Sequence, residues 1–105
     1  MARYMLIAMN GPTDGEGDEA AYNRWYDEVH VPDLEAIDGV LSARRFEVVR
    51  RHRAPWPYVA VYEIETDDVD ALMKRMETEP RPFTPAFDRS VSAMLFAIER
   101  PGAET

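Results

Sequence analysis

The chain has 105 residues, 46% apolar and 30% charged, with twenty acidic against twelve basic side chains and a net charge of −8. That length and balance fit one globular domain over residues 1–105 with a modest core, and they exclude a disordered chain. Cysteine is absent, which excludes disulfides and thiolate metal sites, and the acidic excess repels phosphate backbones and so argues against a nucleic-acid partner.

The opening MARYMLIAMNG holds one arginine and an apolar run that meets a glycine at once, too short for the apolar region of a signal peptide. No stretch approaches the roughly 20 apolar residues of a membrane span. A cytoplasmic protein with no membrane partner is expected. The same first residues, 3 to 9, read as a buried strand closed by the turn Asn10-Gly11-Pro12. The acidic loop GPTDGEGD follows, and Asp18 can cap the next helix by accepting free N–H groups of its first turn.

From Glu19 the period is helical, with Tyr22, Trp25, Tyr26 and Val29 on one face. Pro32 lacks a backbone donor and its ring collides with the carbonyl four residues back, so the helix is expected to kink or stop near Val31. A second short helix, Asp33 to Ile37, starts from Pro32 and ends at Asp38-Gly39. Residues 40 to 50, VLSARRFEVVR, read as a strand, APWP at 54 to 57 as a rigid link, and YVAVYEI at 58 to 64 as the next strand. The cluster Arg50-Arg51-His52-Arg53 reads as a solvated strand end. Thr66 can cap a helix whose face is Val69, Leu72, Met73 and Met76 and which ends before Pro80. The loop PRPFTPAFD carries Phe83 and Phe87, residues 92 to 99 form the last strand, and Arg100-Pro101 opens the tail.

The order β-α-β-β-α-β predicts an α+β, ferredoxin-like fold: a four-stranded antiparallel sheet with both helices on one face. Yet the strands carry apolar residues of both parities, as in Leu6 and Ile7, Val48 and Val49, and Leu95 and Phe96. A sheet wetted on one face should alternate cleanly. The bare face therefore predicts a homodimer that stacks two sheets into an α+β barrel.

The stretch Tyr22-Asn23-Arg24-Trp25-Tyr26-Asp27-Glu28-Val29-His30-Val31-Pro32-Asp33, with Ile37-Asp38-Gly39-Val40 and Ala43-Arg44-Arg45-Phe46 after it, resembles the dimeric α+β barrel superfamily. Within that superfamily it is most similar to EthD-like and related small barrel proteins. The resemblance is sharpest over residues 22 to 46, and the element order extends it to nearly the whole chain. It implies a homodimer with a cleft between sheet and helices in each subunit. Enzymes of that superfamily include cofactor-independent monooxygenases, polyketide cyclases, muconolactone isomerases and haem-degrading enzymes; others have no assigned activity. By position the motif carries over to Trp25, Tyr26, His30 and Pro32. Val29 stands where many relatives have a second polar residue or histidine.

His30 is the first candidate for chemistry, as a proton donor or acceptor at the edge of the buried face. Asp27 and Asp33 lie three residues to either side, and a carboxylate there would favour the imidazolium. The plain alternative is that His30 caps the break at Pro32. Tyr26, one turn earlier, can hydrogen-bond a substrate oxygen, or can be a core aromatic with its polar tip at the rim. Trp25, Tyr62 and Phe83 are candidates to line the substrate, with core packing the alternative for Trp25 and sealing of the barrel end for Phe83. Arg44 and Arg45 point to opposite faces, and the inward one can hold an anionic substrate or pair with Glu47, Glu63 or Glu65. Two histidines without clustered carboxylates make a poor metal site. The expected protein is a cofactor-independent enzyme on a small apolar, aromatic or polyketide-like substrate. A non-catalytic binding or accessory homodimer is the alternative.

Overall fold

The computed structural model describes residues 2–100. Strand β1 runs over Ala2–Asn10, helix α1 over Asp18–Trp25, α2 over Val31–Glu35, β2 over Val40–Glu47, β3 over Tyr58–Thr66, α3 over Val69–Thr78 and β4 over Ala93–Ile98. A π-helical turn, Tyr26–His30, joins α1 to α2, and a 3-10 turn, Arg89–Val91, leads into β4. The sheet order is β2-β3-β1-β4 with every neighbour antiparallel. This is the ferredoxin-like arrangement that the element order predicts. Pro101, part of the expected tail, lies outside the described residues.

The break expected at Pro32 takes a different form. The chain stays helical from Asp18 to Glu35, and the strain is taken up by widening one turn: the Val31 N–H bonds to the Tyr26 carbonyl, five residues back. A π turn moves the carbonyl four residues back away from the proline ring, and Pro32 has no N–H to leave unbonded. Pro32 then sits in the first turn of α2, where its fixed φ suits the helix.

The caps differ as well. Gly17, left-handed at φ 81°, precedes α1, while the Asp18 carboxylate turns back to accept from the Gly15 N–H at 3.0 Å and the Thr13 hydroxyl at 2.5 Å. Asp68, not Thr66, caps α3 by accepting from the Ala71 N–H at 3.1 Å. The Thr66 hydroxyl supports that cap by accepting from the Asp68 N–H. Gly39 ends the α2 turn at φ 101°, where a side chain would also press on the Glu65 carbonyl. Strand β2 stops at Glu47, so Val49 lies outside the sheet and is 94% exposed. The basic cluster Arg50–Arg53 is exposed beyond that strand end.

Register places the core. Leu6 pairs with Tyr62 on one side and Phe96 on the other, and Tyr62 pairs with Ala43. This parity of the sheet is buried under the helices, with Tyr22, Trp25, Tyr26, Leu34 and Leu72 packed onto it. The opposite parity carries Met5, Ile7 and Met9 on β1, Val59 and Val61 on β3, Phe46 on β2 and Leu95 on β4. Met5, Phe46 and Leu95 of this set are exposed large apolar side chains. The two-parity pattern of β1 and β4 is thus real, and one apolar sheet face is left bare.

Candidate active site

A cavity of about 620 Å³ lies between the sheet and the helices, on the side of β4 and α3. Its apolar wall is Leu6, Ala8, Leu34, Met73, Met76, Met94, Phe83, Phe87 and Phe96. Its polar groups fall into two sets. Asn10, Tyr26, His30 and Tyr62 are buried, whereas Glu77, Arg89 and Ser92 are exposed.

The π turn explains how His30 comes to lie against the Trp25 ring, whereas Tyr26, four residues before His30, would share its side in a regular α-helix as well. In a regular α-helix residues five apart diverge by well over a quarter turn; widening the turn brings them onto one side. Trp25 and His30, five apart, stack with ring centroids 4.6 Å apart and planes 19° from parallel. The Trp25 indole N–H donates to the Pro82 carbonyl at 3.2 Å, which ties this stack to the proline-rich loop. Phe83 closes on both rings at 5.1 Å. His30 is 7% exposed, and its Nδ1 has no hydrogen-bond partner among the described residues.

Its charge state follows. Burial lowers the His30 pKa from 6.5 to about 4, and the charge of Asp33 only partly opposes it. The imidazole is neutral at pH 7. The carboxylates expected to favour the imidazolium are engaged elsewhere. Asp33 is gripped by the Arg81 guanidinium, at 2.8 Å, and by the Arg81 backbone N–H, at 2.9 Å. Asp27 pairs with Arg45 at 2.9 Å.

Asn10 organises the tyrosines. Its Nδ2 donates to the Tyr26 hydroxyl at 3.1 Å, and its Oδ1 accepts from the Tyr22 hydroxyl. With its oxygen already accepting, the Tyr26 hydroxyl keeps its own proton free to donate. Burial raises the Tyr26 pKa; the Asn10 hydrogen bond, the nearby Tyr62 hydroxyl and the Arg45 charge oppose it. The Tyr62 hydroxyl, in a residue 1% exposed, lies near Tyr26, but among the described residues no hydrogen bond of good geometry reaches it. Burial and that neighbour raise its pKa strongly.

Several solved structures share this architecture. A dabb family protein with a ferredoxin-like fold from Mesorhizobium loti superposes with a TM-score of 0.64 at 10% identity, over 95% of this chain and 99% of that one. An ethyl tert-butyl ether d (EthD) family protein from Bacillus halodurans gives 0.56 at 14%, over 95% and 100%. A dimeric ferredoxin-like protein of unknown function from Jannaschia gives 0.51 at 15%, over 90% and 96%. The chain has the fold of the EthD-like and dabb ferredoxin-like proteins. At these identities the likeness shows the fold alone. No family model matches the sequence, and no curated protein matches it.

Of the residues the sequence singles out, His30, Tyr26, Tyr62 and Phe83 line this ferredoxin-like cleft together. Trp25 stands behind His30 and does not line it. The two arginines lie elsewhere. Arg44 is exposed on the bare face, its guanidinium 5.2 Å from the Phe46 ring. Arg45 turns inward but is walled off by tyrosines, 4.3 Å from the Tyr26 ring and 5.2 Å from that of Tyr58. Its charge is met by Asp27 and by Asn23, whose Oδ1 accepts at 2.9 Å, in place of the expected glutamates. Neither arginine is placed to anchor a ligand in the cavity. Sequence reasoning missed Asn10, which it took as a turn residue; its parity with Leu6 and Ala8 was the available signal. Among the described residues, no group of three or more histidine, aspartate or glutamate side chains comes together in a way that could hold a metal ion, and no helix is long and apolar enough to cross a membrane.

Proposed function

We propose that the chain is a small cofactor-independent enzyme acting on an apolar, aromatic or polyketide-like molecule, by oxygenation, isomerisation, dehydration or cyclisation. The observation that carries this reading is a neutral buried histidine and an unpaired buried hydroxyl on the wall of an open apolar cavity. Neutral His30 is in the form that accepts a proton from the substrate. The Tyr26 hydroxyl donates to the oxygen on which charge then develops, with Asn10 holding it in place. An imidazolium beside a new enolate or phenolate is an ion pair in an apolar site, which offsets the burial that disfavours the charged ring.

The test is a turnover screen of enolisable aromatic ketones and phenols by proton–deuterium exchange, repeated with His30→Ala. A loss of at least about a hundredfold, with the fold retained by circular dichroism, is the outcome expected of a general base. Full activity in that variant removes His30 from the chemistry. One observation favours a second reading: a histidine with a pKa of about 4 is a weak base unless the ligand raises it. Saturable binding without turnover of any ligand would assign a non-catalytic binding or accessory protein.

The proposal includes a homodimer formed through the bare sheet face. The support is the row Met5, Ile7, Met9, Val59, Val61 and Leu95, which no helix covers, and a neighbour of the same fold is described as dimeric. Sedimentation should give a dimer, and Ile7→Glu with Leu95→Glu should give a folded monomer. A monomeric parent chain at micromolar concentration would overturn the interface.

A further inference from the structure

Arg89 stands on the 3-10 turn before β4, on the wall of the same cavity. Its guanidinium lies over the Phe83 ring, 4.8 Å from the centroid, an attraction that holds a cation at the rim without cancelling its charge. Arg3, Arg24, Arg45, Arg75 and Arg81 all meet carboxylates. Arg89 meets none among the described residues. The adjacent Asp88 carboxylate is occupied by the N–H and hydroxyl of Ser90, at 3.0 and 2.6 Å. Glu77, in the last turns of α3, is the other charged lining residue, and no ion pair joins it to Arg89.

The buried end of the cavity has the opposite character. Asn10, Tyr26, Tyr62 and His30 offer hydrogen bonds but no positive charge, and Arg45 is shut behind Tyr26 and paired to Asp27. A carboxylate pushed to that end would be buried without a cation, at a cost of several kcal/mol. A neutral hydroxyl or carbonyl there would satisfy Tyr62 and His30. The middle wall is methionine, leucine and phenylalanine.

We propose that the ligand is an amphipathic anion, an aromatic or polyketide-like carboxylic acid, that enters hydroxyl or carbonyl first and leaves its carboxylate on Arg89. This rests on reading the cavity as the ligand site, and it adds the charge of the ligand and its direction of entry.

The experiment is a fluorescence titration of the intact protein with a hydroxynaphthoate whose two groups lie at opposite ends of the ring system. The same titration is run with its methyl ester, and both are repeated on Arg89→Gln. The acid is expected to bind at least about tenfold more tightly than the ester, as a charge-assisted contact requires. In Arg89→Gln that advantage should vanish, acid and ester then binding alike. Equal affinities in the parent chain, a preference for the ester, or an acid preference that survives Arg89→Gln would each overturn the role of Arg89 and leave the cavity reading intact. If neither probe binds and the His30 ring resonances do not move, the cavity reading fails and this inference fails with it.

Discussion

The space between the helices and the sheet has two ends built from the same kinds of residue, and they finish in opposite states. At one end Tyr22, Tyr58, Arg45 and Asn23 are packed solid. Tyr22 and Tyr58 lie 5.3 Å apart and Arg45 spans both rings. Every hydroxyl there is paired: Tyr22 donates to Asn10, and Tyr58 donates to Glu19 at 2.6 Å while accepting from Asn23 at 3.2 Å. At the other end Tyr62 and His30 border the cavity, and Tyr62 Oη and His30 Nδ1 are buried without a hydrogen-bond partner among the described residues. Tyr26 sits at the boundary between the two. An aromatic with a polar tip is structural where the tip finds a partner inside the protein, and is available to a ligand where it does not.

The largest effect expected from this contrast is a pH dependence of stability at the open end. The unfolded chain protonates His30 near 6.5, whereas the folded chain resists until about 4. Between those values the unfolded state holds more protons, so stability falls as the pH is lowered from about 6.5 to 4 and is level above. The loss is on the order of 2–3 kcal/mol. Asp33, lowered to about 2, acts in a separate window, losing its contribution only as the pH falls from about 4 towards 2. Urea unfolding at stepped pH measures the slope, and His30→Gln should flatten it between 6.5 and 4. A slope that survives the substitution would place its source elsewhere.

Smaller effects separate the tyrosines. Tyr22→Phe strands the buried Asn10 carbonyl oxygen, which the packed end otherwise satisfies, and should cost about 1–3 kcal/mol. Tyr62→Phe deletes a hydroxyl that has no partner, so it should be neutral or stabilising by up to about 1 kcal/mol. Equal costs for the two would mean that the Tyr62 hydroxyl is satisfied after all, and the distinction between the ends would collapse.

Much of this was legible in the residues. The helical face of Tyr22, Trp25, Tyr26 and Val29 and the apolar run of β1 were strong periodic signals, and Gly39 ended its helix turn as its position implied. The misread points share a cause. Asp18 and Thr66 each had two possible partners at similar sequence distance, and only the folded geometry chooses between them, while Asp27 is taken by Arg45, 18 residues away. The pairing of Asp33 with Arg81, 48 residues away, is beyond any local rule. Asp33 is held in that pair and its pull on His30 is outweighed by burial, so the neutral histidine was not legible either.

The sequence by itself determined the element order, a sheet apolar on both parities and the presence of His30 and Tyr26 on one helical segment, because these follow from local periodicity. Tertiary structure alone decided that the Pro32 break becomes a π turn, that Trp25 stacks on His30, that Arg45 is sealed among tyrosines, and that Arg89 comes to the cavity wall. Each of these depends on which surfaces meet across the sheet and on how burial shifts charge, quantities that no stretch of neighbouring residues contains.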